Sequence, residues 1–287
     1  MYNSLHKHKR LIWLTLLALT AFAANSLLCR LALANASIDA ASFSMIRLFS
    51  GAISLWLIVT IAQKDTRPTH AGNWLSAIFL FLYVTGFSFA YIHLNTGVGA
   101  LILFGAVQVS MLLKAITSGE RPSVSEWLGL LIALAGLTYL VMPGMSAPPL
   151  LASLLMSGAG VAWGLYSLQG RNSSAPLVAT AGNFMRATPL AMLVLLLSFQ
   201  HIHLTSEGVI LAIASGSIAS GVGYAVWYTA LRELTATRAA TVQLAVPILA
   251  AIAGTLFLAE PITLRLAIAS VMILGGIAIA VMHKKNT

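Results

Sequence analysis

Leu94–Met142 reads LNTGVGALILFGAVQVSMLLKAITSGERPSVSEWLGLLIALAGLTYLVM, and Leu234–Met282 reads LTATRAATVQLAVPILAAIAGTLFLAEPITLRLAIASVMILGGIAIAVM. At a constant offset of 140 residues Leu94 falls on Leu234, Ala100 on Ala240, Glu120 on Glu260, Leu134 on Leu274, Gly136 on Gly276, and Val141-Met142 on Val281-Met282. Two apolar stretches share Leu and Ala by chance, but a Glu followed sixteen residues later by a Gly, under one hydropathy profile, points to duplication. A doubled membrane domain is the organisation of many transporters.

The rest of the chain agrees. Apolar residues make up 59% of its 287 residues and charged ones 8%, about a third of the charge a soluble domain carries. The net charge of +9 is spread singly or in pairs at segment ends, which is the footprint of membrane topology and not of a nucleic-acid surface. The single cysteine, Cys29, excludes an internal disulfide and reads as a small buried hydrophobe.

Apolar runs of about 17 to 25 residues predict ten spans, near 11–33, 41–62, 72–92, 97–117, 124–142, 149–169, 176–199, 207–230, 237–258 and 262–282. The connections are short, the longest running from Gln63 to Ala71, so no soluble domain is expected. With the amino terminus inside, cytoplasmic segments hold Lys7, Lys9, Arg10, Lys64, Arg67, Arg121, Arg171, Arg232, Arg238, Lys284 and Lys285, and the opposite loops only Arg265. Both termini are therefore expected in the cytoplasm of a bacterial inner membrane. The first run is long enough to span and lacks a small-residue cleavage site, so it reads as a retained helix and not a signal peptide.

Ten spans in two related halves give five each, and an odd number inverts the second half, 147–287, relative to the first, 1–146. Fainter echoes set Ala24-Asn25-Ser26 against Ala162-Trp163-Gly164 and Met45-Ile46-Arg47 against Phe184-Met185-Arg186. The expected fold is thus an all-α integral membrane protein of ten transmembrane helices, as two inverted five-helix repeats in one membrane domain.

The Trp163-Gly164 pair in span six, an Arg early in spans two and seven (Arg47, Arg186), and a Glu ending spans four and nine before a Gly-bearing helix resemble the drug/metabolite transporter superfamily. Within it the chain is most similar to EamA-type ten-helix exporters, of which bacterial exporters of aromatic amino acids are examples. Ala239–Gly276, with Pro247, Glu260, Pro261 and Gly276, carries the nearest match; the first half departs from it, with Asn25-Ser26 in place of Trp-Gly and Val107 in place of Pro. The resemblance implies a central cavity lined by spans one, three, four, six, eight and nine, opened alternately to the two sides by rocking of helix groups.

Residues suited to such a cavity are present. Span three carries Phe79, Tyr83, Phe87 and Tyr91 at four-residue steps, hence on one face. Span six adds Trp163 and Tyr166, and span eight Ser217, Ser220, Tyr224 and Trp227 or Tyr228. Aromatic rings offer flat apolar surface with a polar tip; packing, or a belt at the membrane interface, is the competing role, and the belt is favoured for Trp13, Trp56, Trp74, Trp127 and Trp227. The amides of Asn25, Gln108 and Gln243 either bind a zwitterion or tie helices together, and Pro247 frees a carbonyl that lets span nine bend near Gln243. The expected substrate-binding set is Asn25, Tyr83, Phe87, Gln108, Trp163, Tyr166, Tyr224 and Gln243.

Arg47 is expected to snorkel to the outer end of its span and Lys114 to the inner end. Arg186 is expected to bond helix carbonyls, and Arg30 competes between snorkelling and an anion-attracting mouth. No catalytic or nucleotide-binding constellation is present, and Gly97-Val98-Gly99 begins a span. His6-x-His8 and His201-x-His203 lack further ligands, so neither metal nor cofactor is expected. The reading is a secondary transporter, not an enzyme. It exports small organic metabolites, aromatic or large neutral amino acids first, with lipid as its surroundings, no nucleic-acid partner, and a monomer admitted. A multidrug exporter of cations and a non-transporting membrane scaffold are the alternatives. Asp39, Asp65, Glu120, Glu126, Glu207, Glu233 and Glu260 all fall at or beyond span ends, and His93 is interfacial, so transport is expected to run down the substrate gradient.

Overall fold

A computed structural model describes the chain except for residues 1, 63–70, 118–122, 145–146, 172, 232, 235–241 and 283–287. The expected loop after span two, Glu120 and several of the basic residues that set orientation lie outside the described residues. The helices are α1 (Tyr2–Ala34), α2 (Ala40–Ala62), α3 (Trp74–Tyr91), α4 (Thr96–Thr117), α5 (Val124–Val141), α6 (Leu150–Arg171) and α7 (Pro176–Leu197). Then follow α8 (Ser206–Ile213), nine π-helical residues at Ala214–Val222 that run straight into α9 (Gly223–Leu231), α10 (Ala245–Leu258) and α11 (Leu264–Met282).

Among the described residues seven helical segments are long and apolar enough to cross a membrane, one of them the composite Ser206–Leu231, and Thr96–Met111, Ala245–Leu258 and Leu264–Ile279 are shorter apolar helices. The chain is an all-α, multi-pass membrane protein. Its outer face carries Trp13, Trp56, Trp74 and Trp127 together with many exposed Leu and Ile, as a lipid-facing surface requires. Trp227 departs from the expected belt: it is buried, edge-on to Phe22 at 5.7 Å.

Local chemistry sets several ends. Asn73 accepts the Ser76 amide and starts α3, Ser123 and Glu126 form a reciprocal capping box on α5, and Thr205 caps α8. α10 stops at Ala259, which takes left-handed angles (φ 52, ψ 29).

Small residues set the helix spacing, as expected where lipid supplies no hydrophobic drive between helices. Gly160 and Gly164 lay α6 on α4: a Cβ at either would strike the Leu103 carbonyl or the Ser110 hydroxyl. Gly136 faces Met272 and Ile273, while Gly276 faces the Gly129 carbonyl and Ala133. The two glycines paired by the 140-residue offset thus share the α5–α11 interface. Gly97 lies against Ala251 and Gly99 under the Tyr91 ring, which gives the Gly-Val-Gly stretch a packing role.

Candidate central cavity

α3 brings Tyr83 and Phe87 to the middle of the bundle because its four-residue aromatic spacing keeps them on the face turned toward α1 and α6. Phe22, Asn25 and Ser26 of α1 face them, Leu103 and Phe104 of α4 close one side, and Trp163 of α6 and Tyr224 of α9 the other. The Trp163 and Tyr224 rings stack at 5.4 Å and 24°, and Trp163 meets Tyr83 at 4.8 Å. The walls enclose about 320 Å³ of space, mouth included, but the room open to the centre of a water-sized sphere is about 20 Å³, enough for roughly one water. In this conformation the cavity is pinched by its own rings.

Of the eight residues expected to bind substrate, five are brought together at this wall: Asn25, Tyr83, Phe87, Trp163 and Tyr224. Tyr166 stands behind Trp163, 5.5 Å ring to ring, and donates its hydroxyl to Thr180 at 3.0 Å. Gln108, half-buried, lies one turn along α4 from Phe104. Gln243 precedes α10, after which Leu244 breaks the helix three residues ahead of Pro247. Neither amide is at the wall, and α10, expected to line the cavity, contributes no side chain to it among the described residues.

Sequence reasoning named Asn25 and Ser220 but missed Ser215 and the seam that joins them behind the rings. Asn25 Oδ1 accepts from the Ser215 hydroxyl at 2.7 Å and from Ser220 at 3.4 Å. The two serines are five residues apart, so an α-helix would turn them away from each other, whereas the π-helical i→i+5 pattern puts both on Asn25. Ser220 also accepts from Arg47 Nε at 3.3 Å, and Arg47 Nη2 donates to the Tyr83 hydroxyl at 3.1 Å.

The placement of Arg47 corrects the snorkelling expectation. It is fully buried, because its face of α2 is turned onto the π-helical segment, where Gly216 abuts the Arg47 carbonyl. Its guanidinium carbon lies 5.3 Å from the Tyr83 ring centre and 5.0 Å from that of Phe87, within cation–π range. Both rings line the cavity.

Lys114 is exposed, whereas Arg186 and Arg30 are partnered. Arg186 donates to the carbonyls of Ala71 and Gly182, the structural role expected of it. Arg30 is neither a bare mouth nor a snorkel: its Nε meets Glu260 Oε1 at 3.2 Å and its Nη1 donates to the carbonyls of Tyr91 and Ile92 at 2.9 and 2.8 Å. Glu260 Oε2 accepts the Thr96 amide at 2.7 Å. A cation thus sits at the carboxyl end of α3 and an anion at the amino end of α4, each on the favourable side of a helix dipole. Among the described residues there is no cluster of three or more His, Cys, Asp or Glu able to hold a metal.

The residues 150–282 match the profile of the EamA-like transporter family. An uncharacterized protein of Pseudomonas aeruginosa is 50% identical over 271 residues, 94% of each chain. The chain belongs to the EamA-like transporter family. It is similar to two proteins named as uncharacterized transporters: YwfM of Bacillus subtilis, 29% identical over 80% of each chain, and one of Archaeoglobus fulgidus, 27% identical over 66% of this chain and 69% of its own. A crystal structure of a protein 20% identical in sequence superposes with a TM-score of 0.67 over 94% of this chain and 99% of its own, a likeness of fold alone. As a member of this family the chain is a membrane transporter.

Proposed function

We propose that the chain exports small organic metabolites from the bacterial cytoplasm, aromatic or large neutral amino acids first among them, by alternating access of two inverted five-helix halves. The observation that carries this reading is the ring-walled cavity: Tyr83, Phe87, Trp163 and Tyr224 give flat apolar surface, and Asn25 and Ser26 put polar groups beside it. Its pinched state supports alternating access, since a solute larger than water enters only when the halves part.

The pattern of helix contacts supports the inverted halves. α2 packs on α7, α4 on α10 and α5 on α11, each a helix on its counterpart five spans later, and α3 on α6 is matched by the composite rod on α1. The basic residues favour both termini in the cytoplasm. Reporter fusions after Gly170 and at the carboxyl terminus are expected to behave as cytoplasmic, and those after Ser146 or Ser206 as external; a cytoplasmic signal at Ser146 breaks the ten-span arrangement.

The described carboxylates support transport down the substrate gradient. Asp39 caps α2 and accepts the His203 amide, Glu126 is held in its capping box, and Glu260 is paired with Arg30, while His93 is exposed at the α3–α4 turn. A cationic drug is disfavoured by the buried positive charge of Arg47 next to the cavity. Purified full-length protein in proteoliposomes, assayed over an amino-acid panel, is expected to equilibrate one or more aromatic amino acids. Under an imposed pH gradient with equal substrate on both sides, no net accumulation is expected. Uphill uptake would overturn the facilitated mode, and absence of flux for the whole panel would favour a non-transporting scaffold.

A further inference from the structure

Arg47 has a guanidinium with five donors and a charge that persists at any physiological pH, yet its Nη1 is buried with no hydrogen-bond partner. Its other contacts are two neutral hydroxyls and two ring faces. Arg30 is paired with Glu260, and the hydrogen bonds of Asp39 and Glu126 hold those carboxylates at helix starts. A buried cation normally has a counter-charge, because hydroxyls and rings replace only part of the hydration it loses. Here the missing partner is an anion, and the rings flanking the guanidinium are the rings of the cavity.

We propose that Arg47 is the binding site for a substrate carboxylate, which reaches it by displacing the Tyr83 hydroxyl as the cavity widens. The planar fork of Nη1 and Nη2 matches a carboxylate in a bidentate pair. Tyr83, packed on Phe87 and Trp163 in the cavity wall, also holds the guanidinium through its hydroxyl. Occupation satisfies Nη1, neutralises the charge and leaves the apolar part of the ligand against Trp163 and Tyr224. This deepens the proposed function and rests on the cavity being the substrate site. It adds a requirement: the substrate carries a carboxylate, and an ammonium group is not what the site selects.

The test is equilibrium binding to the detergent-purified full chain with four probes: L-phenylalanine, L-phenylalaninamide, 3-phenylpropanoate and hexanoate. The expected result is that phenylpropanoate and phenylalanine bind and that the amide is weaker by about tenfold or more, the worth of a charge-assisted pair. An amide that binds as tightly as phenylalanine overturns the Arg47 assignment while leaving the ring-walled site standing. Hexanoate binding without either aromatic acid keeps the carboxylate site and overturns the aromatic reading, and failure of all four probes overturns both. Arg47→Lys, which keeps the charge and loses the fork, is expected to weaken phenylpropanoate about tenfold. Should that variant not fold, Tyr83→Phe decides: freeing Nη2 is expected to tighten phenylpropanoate by about threefold or more, and unchanged or weaker binding overturns the displacement.

Discussion

Arg30 and Arg47 both face the interior of the bundle, one on α1 and one on α2, and they are treated in opposite ways. Arg30 near the end of α1 has a carboxylate, two carbonyls and two helix termini arranged around it. Arg47, eight residues into α2, has two hydroxyls, two ring faces and one bare nitrogen. Arg47 is fully buried while Arg30 keeps 17% of its side chain exposed, so the more desolvated cation is the one with fewer partners. A fully partnered charge fixes structure, whereas an under-partnered one next to a cavity is held ready for a ligand.

The largest effect on stability should come from breaking the partnered site. Glu260→Ala strands the Arg30 charge and removes the acceptor of the Thr96 amide, and should lower the unfolding free energy in detergent by about 3 kcal/mol. The midpoint of thermal unfolding reads it, and a wild-type midpoint would mean that the clasp is solvated and not structural. Next is Ser220→Ala, which takes from Arg47 one of its two hydrogen-bond partners and from Asn25 one of its two serines. A loss of about 1–2 kcal/mol is expected in the same assay. Affinity for phenylpropanoate should hold or rise in this variant, and that separates it from Glu260→Ala. The smallest is Trp13→Ala on the exposed face of α1: a change within about 0.5 kcal/mol, with transport unaltered.

Much of the fold was legible in the chain because a membrane span is a one-dimensional property: length and apolarity suffice to locate it. The spans read from residues 41–62, 124–142 and 176–199 match α2, α5 and α7 to within two residues at each end. The lining of the candidate cavity was legible where helical periodicity put Tyr83 and Phe87 on one face and where a mid-span amide marked Asn25. It was misread where a side chain's direction mattered. Arg47 was assigned to the membrane surface by its distance along the span, but which face α2 turns inward is set by Gly51 packing on the Phe184 ring and by Gly216 of the π-helical segment packing on Arg47 and Ser50. Tyr166 has the composition of a cavity residue and stands a layer behind.

By itself the sequence determined that this is a multi-pass helical membrane protein with an aromatic-rich interior, because burial in lipid constrains composition residue by residue. Only the tertiary structure decided that Ser215 and Ser220 meet on one amide, that the rings of α3, α6 and α9 converge, and that Arg47 lies beside them with a nitrogen unpaired. Those facts depend on the rotation of each helix about its own axis and on a local change of pitch from α to π. Both are settled by close contacts between helices far apart in sequence.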